Sequence, residues 1–216
     1  MIALQDGKKI CCVGFQKTGT SSLTDALQRL GYRVGAAVDE INKVLDPQAT
    51  NSETVVKEIT LRIMRQFDAL QDSPCPFMFK HFDQEFPGSK FILTYRPVES
   101  WLRSYSDFFP NQNNPLREWM YGVPQFLGHE DIYRDIYETQ NNKIRDYFKD
   151  RPEDFLELDL AKGHGWYELV TFLGPEMVPS FPHTNVKPEV SQLVNSKGKK
   201  LRRIAKRNLS RLAKKI

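Results

Sequence analysis

Apolar residues in this 216-residue chain fall into short continuous runs that alternate with stretches of helical spacing. KICCVG at 9–14 is an apolar run ending at a glycine, which predicts a buried strand. Leu23, Ala26, Leu27 and Leu30 then recur at i, i+3, i+4 and i+7, the spacing of a helix face, with Gly31 as a stop. YRVGAAV at 32–38 suits a second strand. Val55, Ile59, Ile63 and Phe67 predict a helix over 54–70, while DALQDSP at 68–74 carries a weaker strand signal before its prolines. A short helix fits 77–86, and KFILTY at 90–95 is the clearest strand, with a helix over 98–109 behind it. Residues 110–130 mix Asn, Gly and Pro among aromatics and read as an irregular excursion. Helical spacing returns over 131–149, and FLELDL at 155–160 is another strand. Glu168, Leu169, Phe172 and Leu173 suit a helix ended by Gly174 and Pro175, and PSFPHTNVKP at 179–188 reads as loop. Leu201, Ile204, Ala205, Leu209, Leu212 and Ile216 give the tail one apolar stripe. There is no internal repeat.

Strands alternating with helices predict an α/β fold, a mostly parallel sheet covered on both faces in three α/β/α layers. In such sheets ligands bind at the carboxyl ends of the strands. One domain is expected over 1–196. A basic amphipathic helix over 197–216 is expected to pack on it or extend from it.

Charge refines this picture at one end. The net charge of +4 excludes a general polyanion binder, and no nucleic-acid partner is expected. Ten Lys and Arg fall between Lys197 and Lys215 with no acid among them, and without them the rest of the chain is net negative. Such a tail reads as a solvated surface helix, and it is a candidate for contact with a membrane surface or an acidic partner. Three cysteines in no framework spacing argue for reduced thiols and a cytoplasmic setting. The four His show no metal-ligand spacing and there is no CxxC, so no metal is expected. MIALQDGKK lacks the apolar core of a signal peptide, and no run approaches the length of a membrane span.

The chemistry concentrates in GFQKTGTSS, from Gly14 to Ser22. It follows a strand and opens a helix, the context an anion-binding loop requires. There the free N–H groups of the first helical turn point at the ligand, and the helix dipole favours negative charge. Gly19 allows close backbone approach. Thr18, Thr20, Ser21 and Ser22 add hydroxyls and Lys17 a charge. A plain helix cap needs one hydroxyl, not four with a lysine and a glycine. The nucleoside-triphosphate pattern GxxxxGK[ST] is not met, because Thr20 stands where its lysine belongs. FILTYR also ends in Arg96, where a magnesium-holding acid would be needed.

GFQKTGTSSL resembles the 5′-phosphosulfate loop of the P-loop-type sulfotransferases, which use 3′-phosphoadenosine 5′-phosphosulfate (PAPS). FILTYRPVESWLRSY resembles that family's second element, a strand followed by Arg and, eight residues later, Ser. FPGSKFILTYRPVESWLRSY, GHGWYELVTFLG and FPHTN are similar to one subgroup, so the resemblance spans about 9–185. It implies a P-loop NTPase-like fold and transfer of the sulfuryl group of PAPS to a hydroxyl or amine. The acceptor would be a small molecule or a carbohydrate, and no metal would take part. Lys17, Thr18, Gly19, Thr20 and Ser21 would contact the phosphosulfate end, with Ser22 beside them. Lys17 would lie near the bridging oxygen, and its early position in the loop suits cleavage between phosphate and sulfate. Arg96 and Ser104 would hold the 3′-phosphate. The family's aromatic after the loop hydroxyls is Ser22 here, so no adenine-stacking ring comes from that position. Lys197, Gly198 and Lys199 faintly resemble a basic-glycine element that closes over the 3′-phosphate in relatives.

The acceptor needs a base. In the family this is a His at a strand end, two residues before a Pro. Asp72 in QDSP holds the matching position and His81 is the rival, favoured less because it falls inside the short helix. The alternative for Asp72 is a helix N-cap. Trp101, Tyr105, Phe108, Phe109, Trp119 and Tyr121 crowd the expected pocket mouth, some of them as core. Trp166 is expected in the core at a strand-to-helix corner, and His183 as a structural loop residue. Two rival functions remain: a magnesium-dependent nucleotide kinase or NTPase, and a non-catalytic nucleotide-binding module.

Overall fold

Five strands form one sheet in the computed structural model, which describes residues 7–177, all within one compact unit. They are β1 (Ile10–Cys12), β2 (Val34–Gly35), β3 (Ala69–Leu70), β4 (Lys90–Tyr95) and β5 (Phe155–Asp159). Their order is β2-β3-β1-β4-β5, and every neighbouring pair is parallel. The helices are α1 (Thr20–Arg29), α2 (Val38–Asn42), α3 (Ser52–Gln66), α4 (Cys75–Glu85), α5 (Val98–Phe108), α6 (Pro115–Tyr121), α7 (Glu130–Phe148) and α8 (Trp166–Met177).

Successive side chains of a strand point to opposite faces, so alternate residues divide between two cores. Cys11, Val13, Leu70, Phe91 and Leu93 join one core with residues of α2 through α7. Ile10, Cys12, Ala69, Ile92 and Leu158 join the other, with Leu23 and Leu27 of α1 and Leu169 and Leu173 of α8. This is the three-layer α/β arrangement read from the sequence. The chain runs from central β1 out to β2, back to β3, then across β1 to β4 and β5. The order therefore reverses direction around β1, and a ligand crevice is expected at the carboxyl ends there.

Three local expectations are corrected. The helix expected over 54–70 stops at Gln66, and Phe67 is extended (φ −122°, ψ 163°). Phe67 instead lies over Gly35, where an added Cβ would come within 2.5 Å of its ring. The next residue, Asp68, is held by the backbone N–H (2.8 Å) and guanidinium (3.1 Å) of Arg33, which draws the chain into β3. The stretch 110–130 is not wholly irregular, because it contains α6. Asn114 caps that helix by accepting the Arg117 N–H at 2.9 Å, Pro115 opens it and Gly122 ends it at φ 69°. Seven residues were too few to show a period, although the cap, Pro and Gly signals were all present. Third, Trp166 is 45% exposed rather than buried. The corner itself is as expected: Asp159 N–H donates to His164 Nδ1 and Gly165 N–H to Glu168. The second strand is only two residues long. Gly174 interrupts α8 at the expected position (φ 65°, ψ 175°). The tail over 197–216, with Lys197, Gly198 and Lys199, and His183 lie outside the described residues.

Candidate active site

The loop between β1 and α1 is fastened to β4. Val13 N–H donates to Ile92 O at 2.8 Å. Gly14 lies so close to Thr94 that an added Cβ would be 2.1 Å from its hydroxyl and 2.7 Å from its carbonyl oxygen. Thr18 is buried, and its hydroxyl donates to Phe15 O at 2.5 Å and shares a 2.6 Å hydrogen bond with the Thr94 hydroxyl. That side chain is spent on holding the loop, which leaves Thr18 only its backbone N–H to offer. Gln16 is buried beneath the loop. Its amide N–H groups donate to Tyr105 and Tyr121, its amide oxygen accepts from Ser73, and its carbonyl accepts from Trp101.

Gly19 caps α1 with φ 108°, in the left-handed region open to glycine. No side chain caps this helix and no acid lies in its first turn. Thr20, Ser21 and Ser22 therefore begin α1 with backbone N–H groups uncommitted to a cap, and Ser21 and Ser22 are exposed. Beyond Gly19, an added Cβ would meet the Leu160 side chain at 2.4 Å, so the turn after β5 closes against the loop.

Lys17 and Asp72 share an unusual backbone. Among the described residues they are the two non-glycine residues with positive φ, at 69° and 68°. Such a conformation costs on the order of 1–3 kcal/mol and concentrates at functional sites. Asp72 follows β3, Lys17 follows β1 and Arg96 follows β4, and these three strands are neighbours in the order β3-β1-β4. The sheet thus sets a carboxyl, an ammonium and a guanidinium in a row along its carboxyl edge.

The electrostatics fit an anion. The Lys17 ammonium lies 3.1 Å from the ring centre of Phe108, which is exposed at the end of α5. Burial, and then the positive charge of Arg96, lower the Lys17 pKa, with Asp107 offsetting part of this. Two cations therefore sit within each other's field, a costly arrangement that an anionic ligand would relieve. The Arg96 backbone is locked, its N–H donating to Tyr137 and its carbonyl accepting from the same hydroxyl. Its half-buried guanidinium makes no ion pair or hydrogen bond among the described residues. Ser104 lies half-buried on α5, and its hydroxyl likewise has no protein partner there.

A cleft opens beside this row. Gln16, Asp72 and Ser73 line it together with Phe109, Asn114, Leu116 and Arg117, and Val38 completes the lining. Burial raises the Asp72 pKa, and the Ser73 N–H and the charge of Arg117 draw it part of the way back. The Ser73 N–H donates to Asp72 Oδ1 at 2.7 Å, which fixes the carboxylate. Asp72 precedes the cis Ser73–Pro74 bond and lies outside α4, whose N-cap is Pro74 with no side-chain cap bond. His81 sits well inside α4 and does not line the cleft. Trp101, Tyr105 and Tyr121 are fully buried core, and of the six aromatics only Phe109 lines the cleft. Sequence reasoning missed Gln16, Thr94, Asn114 and Arg117. Only the α6 cap motif carried a signal for any of them.

A family model described as a sulfotransferase domain matches residues 9–190. The chain belongs to the sulfotransferase family. Comparison with curated proteins finds no match. Among solved structures the chain is similar to a shikimate kinase from Acinetobacter baumannii in complex with shikimate. The two share 13% identity over 69% of this chain and 97% of that one, with a TM-score of 0.34.

Within this sulfotransferase domain the described helices include none long and apolar enough to cross a membrane. Cys11, Cys12 and Cys75 are free and buried. Burial pushes the Cys12 thiol up to about 12, far from the range of a reactive thiolate.

Proposed function

We propose that this sulfotransferase moves the sulfuryl group of PAPS directly to a hydroxyl or amine of a small-molecule or carbohydrate acceptor, without a covalent enzyme intermediate. The row Asp72, Lys17, Arg96 beyond the ends of three adjacent strands carries the reading, with two of its members held at positive φ. The first-turn N–H groups of Thr20, Ser21 and Ser22, with the backbone of Thr18 and Gly19, would cradle the phosphosulfate. The unpartnered Arg96 guanidinium, suited to bidentate phosphate recognition, and Ser104 would hold the 3′-phosphate. Asp72 is the assigned base, because it borders the cleft where an acceptor could lie and His81 does not.

Asp72 takes the acceptor proton while the acceptor oxygen or nitrogen bonds to sulfur. The bond from sulfur to the bridging oxygen breaks, and its electron pair stays on the phosphate of adenosine 3′,5′-bisphosphate. Lys17 stabilises the charge that grows there, a preplaced cation acting where negative charge develops. To do so its ammonium leaves the Phe108 ring, giving up about 0.5–2 kcal/mol of cation–π attraction for a stronger ionic contact. Three free, buried thiols support a reducing, cytoplasmic setting.

Thermal titration tests the donor. Adenosine 3′,5′-bisphosphate should raise the melting temperature without added metal, since a ligand bound to the native state stabilises it. A shift with ATP and magnesium but none with the bisphosphate would sink the reading in favour of a kinase or NTPase. A bisphosphate shift without sulfuryl transfer to any hydroxyl or amine in a broad acceptor panel would favour a binding module.

A further inference from the structure

Of the five half-buried arginines among the described residues, three pair with carboxylates: Arg134 with Glu99, Arg145 with Glu157 and Arg151 with Asp83. The two without an acid are Arg96 and Arg117. Arg96 has its role in the donor half of the site. Arg117 lines the cleft together with Asp72.

Arg117 is held in place by neutral groups. Its guanidinium carbon stacks 3.9 Å from the ring centre of Phe109. Its Nη1 donates to Gln112 Oε1 at 3.1 Å and, more weakly, to Gln112 O at 3.4 Å. Its backbone is fixed at the start of α6 by the Asn114 cap. Nε and Nη2 make no hydrogen bond among the described residues, so a planar pair of donors remains open. A guanidinium that is half removed from water, oriented by stacking and given no counterion is poised for an oxyanion. The other polar groups of the cleft cannot fill that role. Ser73 and Gln16 are committed to each other, and Asn114 to its cap. Asp72 is farther from Arg117 than ion-pair contact, though near enough for the two charges to feel each other.

We infer that the acceptor is an anion, with a carboxylate or comparable oxyanion seated on Arg117 while its reacting hydroxyl or amine faces Asp72. This rests on the reading of the cleft as the acceptor site. Arg117 is then a specificity residue: it selects acidic acceptors, such as hydroxy acids or uronic-acid sugars, over their neutral counterparts.

The test compares matched probes on protein saturated with adenosine 3′,5′-bisphosphate. 4-Hydroxybenzoate is set against 4-hydroxybenzamide, and phenyl β-glucuronide against phenyl β-glucoside, with binding followed by ligand-observed NMR. At least one acid should bind about tenfold or more tightly than its neutral partner, the scale of one charge-assisted hydrogen bond. Arg117→Met, which keeps the bulk against Phe109, should abolish the preference and leave bisphosphate binding unchanged. Arg117→Lys should keep part of it. Equal binding within both pairs, no binding by either acid, or a preference that survives Arg117→Met would overturn the inference. If the bisphosphate itself fails to bind, the donor reading falls separately, and the probe pairs are compared on the free protein, where Arg117 is equally open.

Discussion

Replacing Asp72 with Asn separates a catalytic role from a structural one, because the two predict opposite changes in stability. Asn keeps the side-chain oxygen that accepts the Ser73 N–H at 2.7 Å, keeps the volume, and tolerates the left-handed backbone (φ 68°) as well as Asp does. What it removes is the charge. Burial is the main influence on this carboxyl and holds its pKa above the ordinary 3.8. A raised folded-state pKa means that the native protein prefers the protonated acid. That contribution to stability is fully present below pH 3.8 and is lost as pH rises through the folded value. At neutral pH the wild type therefore carries an ionised, partly desolvated carboxylate at a cost that Asn does not bear. Each pKa unit is worth about 1.4 kcal/mol, and 1 kcal/mol moves the midpoint of a domain this size by about 2–4 °C. Asp72→Asn should thus melt at a temperature equal to or a few degrees above wild type at pH 7, with the gain shrinking toward pH 4. Turnover should fall roughly 10²–10⁴-fold, the usual share of a general base. In the wild type the acid limb of kcat/KM against pH should lie above 3.8, and in the variant it should vanish. The assay is sulfuryl transfer measured beside calorimetry across pH. Full turnover with intact bisphosphate binding would end the assignment of Asp72 as base, and a clear loss of stability at pH 7 would mark it as a structural residue.

Lys17→Ala should lower kcat by about 10²–10³-fold with modest change in bisphosphate affinity. Arg96→Ala should weaken bisphosphate binding about 10–100-fold, the scale of hydrogen bonds to a charged group, and titration calorimetry with turnover assays would expose a reversed pattern. Gly14→Ala drives a Cβ to within 2.7 Å of the Thr94 carbonyl oxygen, a backbone atom of β4 that cannot swing aside. It should cost about 1–3 kcal/mol, and an unchanged urea midpoint would refute that packing argument.

The strand–loop–helix from Ile10 to Arg29 was legible in the sequence, because a buried run, a glycine-rich turn and an amphipathic spacing are local properties of the chain. So was the strand ending in Arg96, with Ser104 on the helix behind it. Local patterns failed where neighbours intervened. Phe67 continues a helical stripe, yet it leaves the helix to lie over Gly35 while Arg33 grips Asp68. Trp166 looked like core, but its corner leaves it 45% exposed. Nor could the sequence say which residues meet, since strand order is fixed by crossovers rather than by any one segment. Only the sheet brings Asp72, Lys17 and Arg96 together at the ends of three neighbouring strands, although they lie 24 to 79 positions apart along the chain. Only the packing of α6 brings Arg117 to the cleft beside Asp72 and spends the Thr18 hydroxyl on Thr94. The loop at 14–22 and the stretch from Arg96 to Ser104 are contiguous motifs, so the residues proposed to hold the donor were readable along the chain. The cleft proposed for the acceptor is assembled from separate elements, so its charge became readable only once the chain was folded.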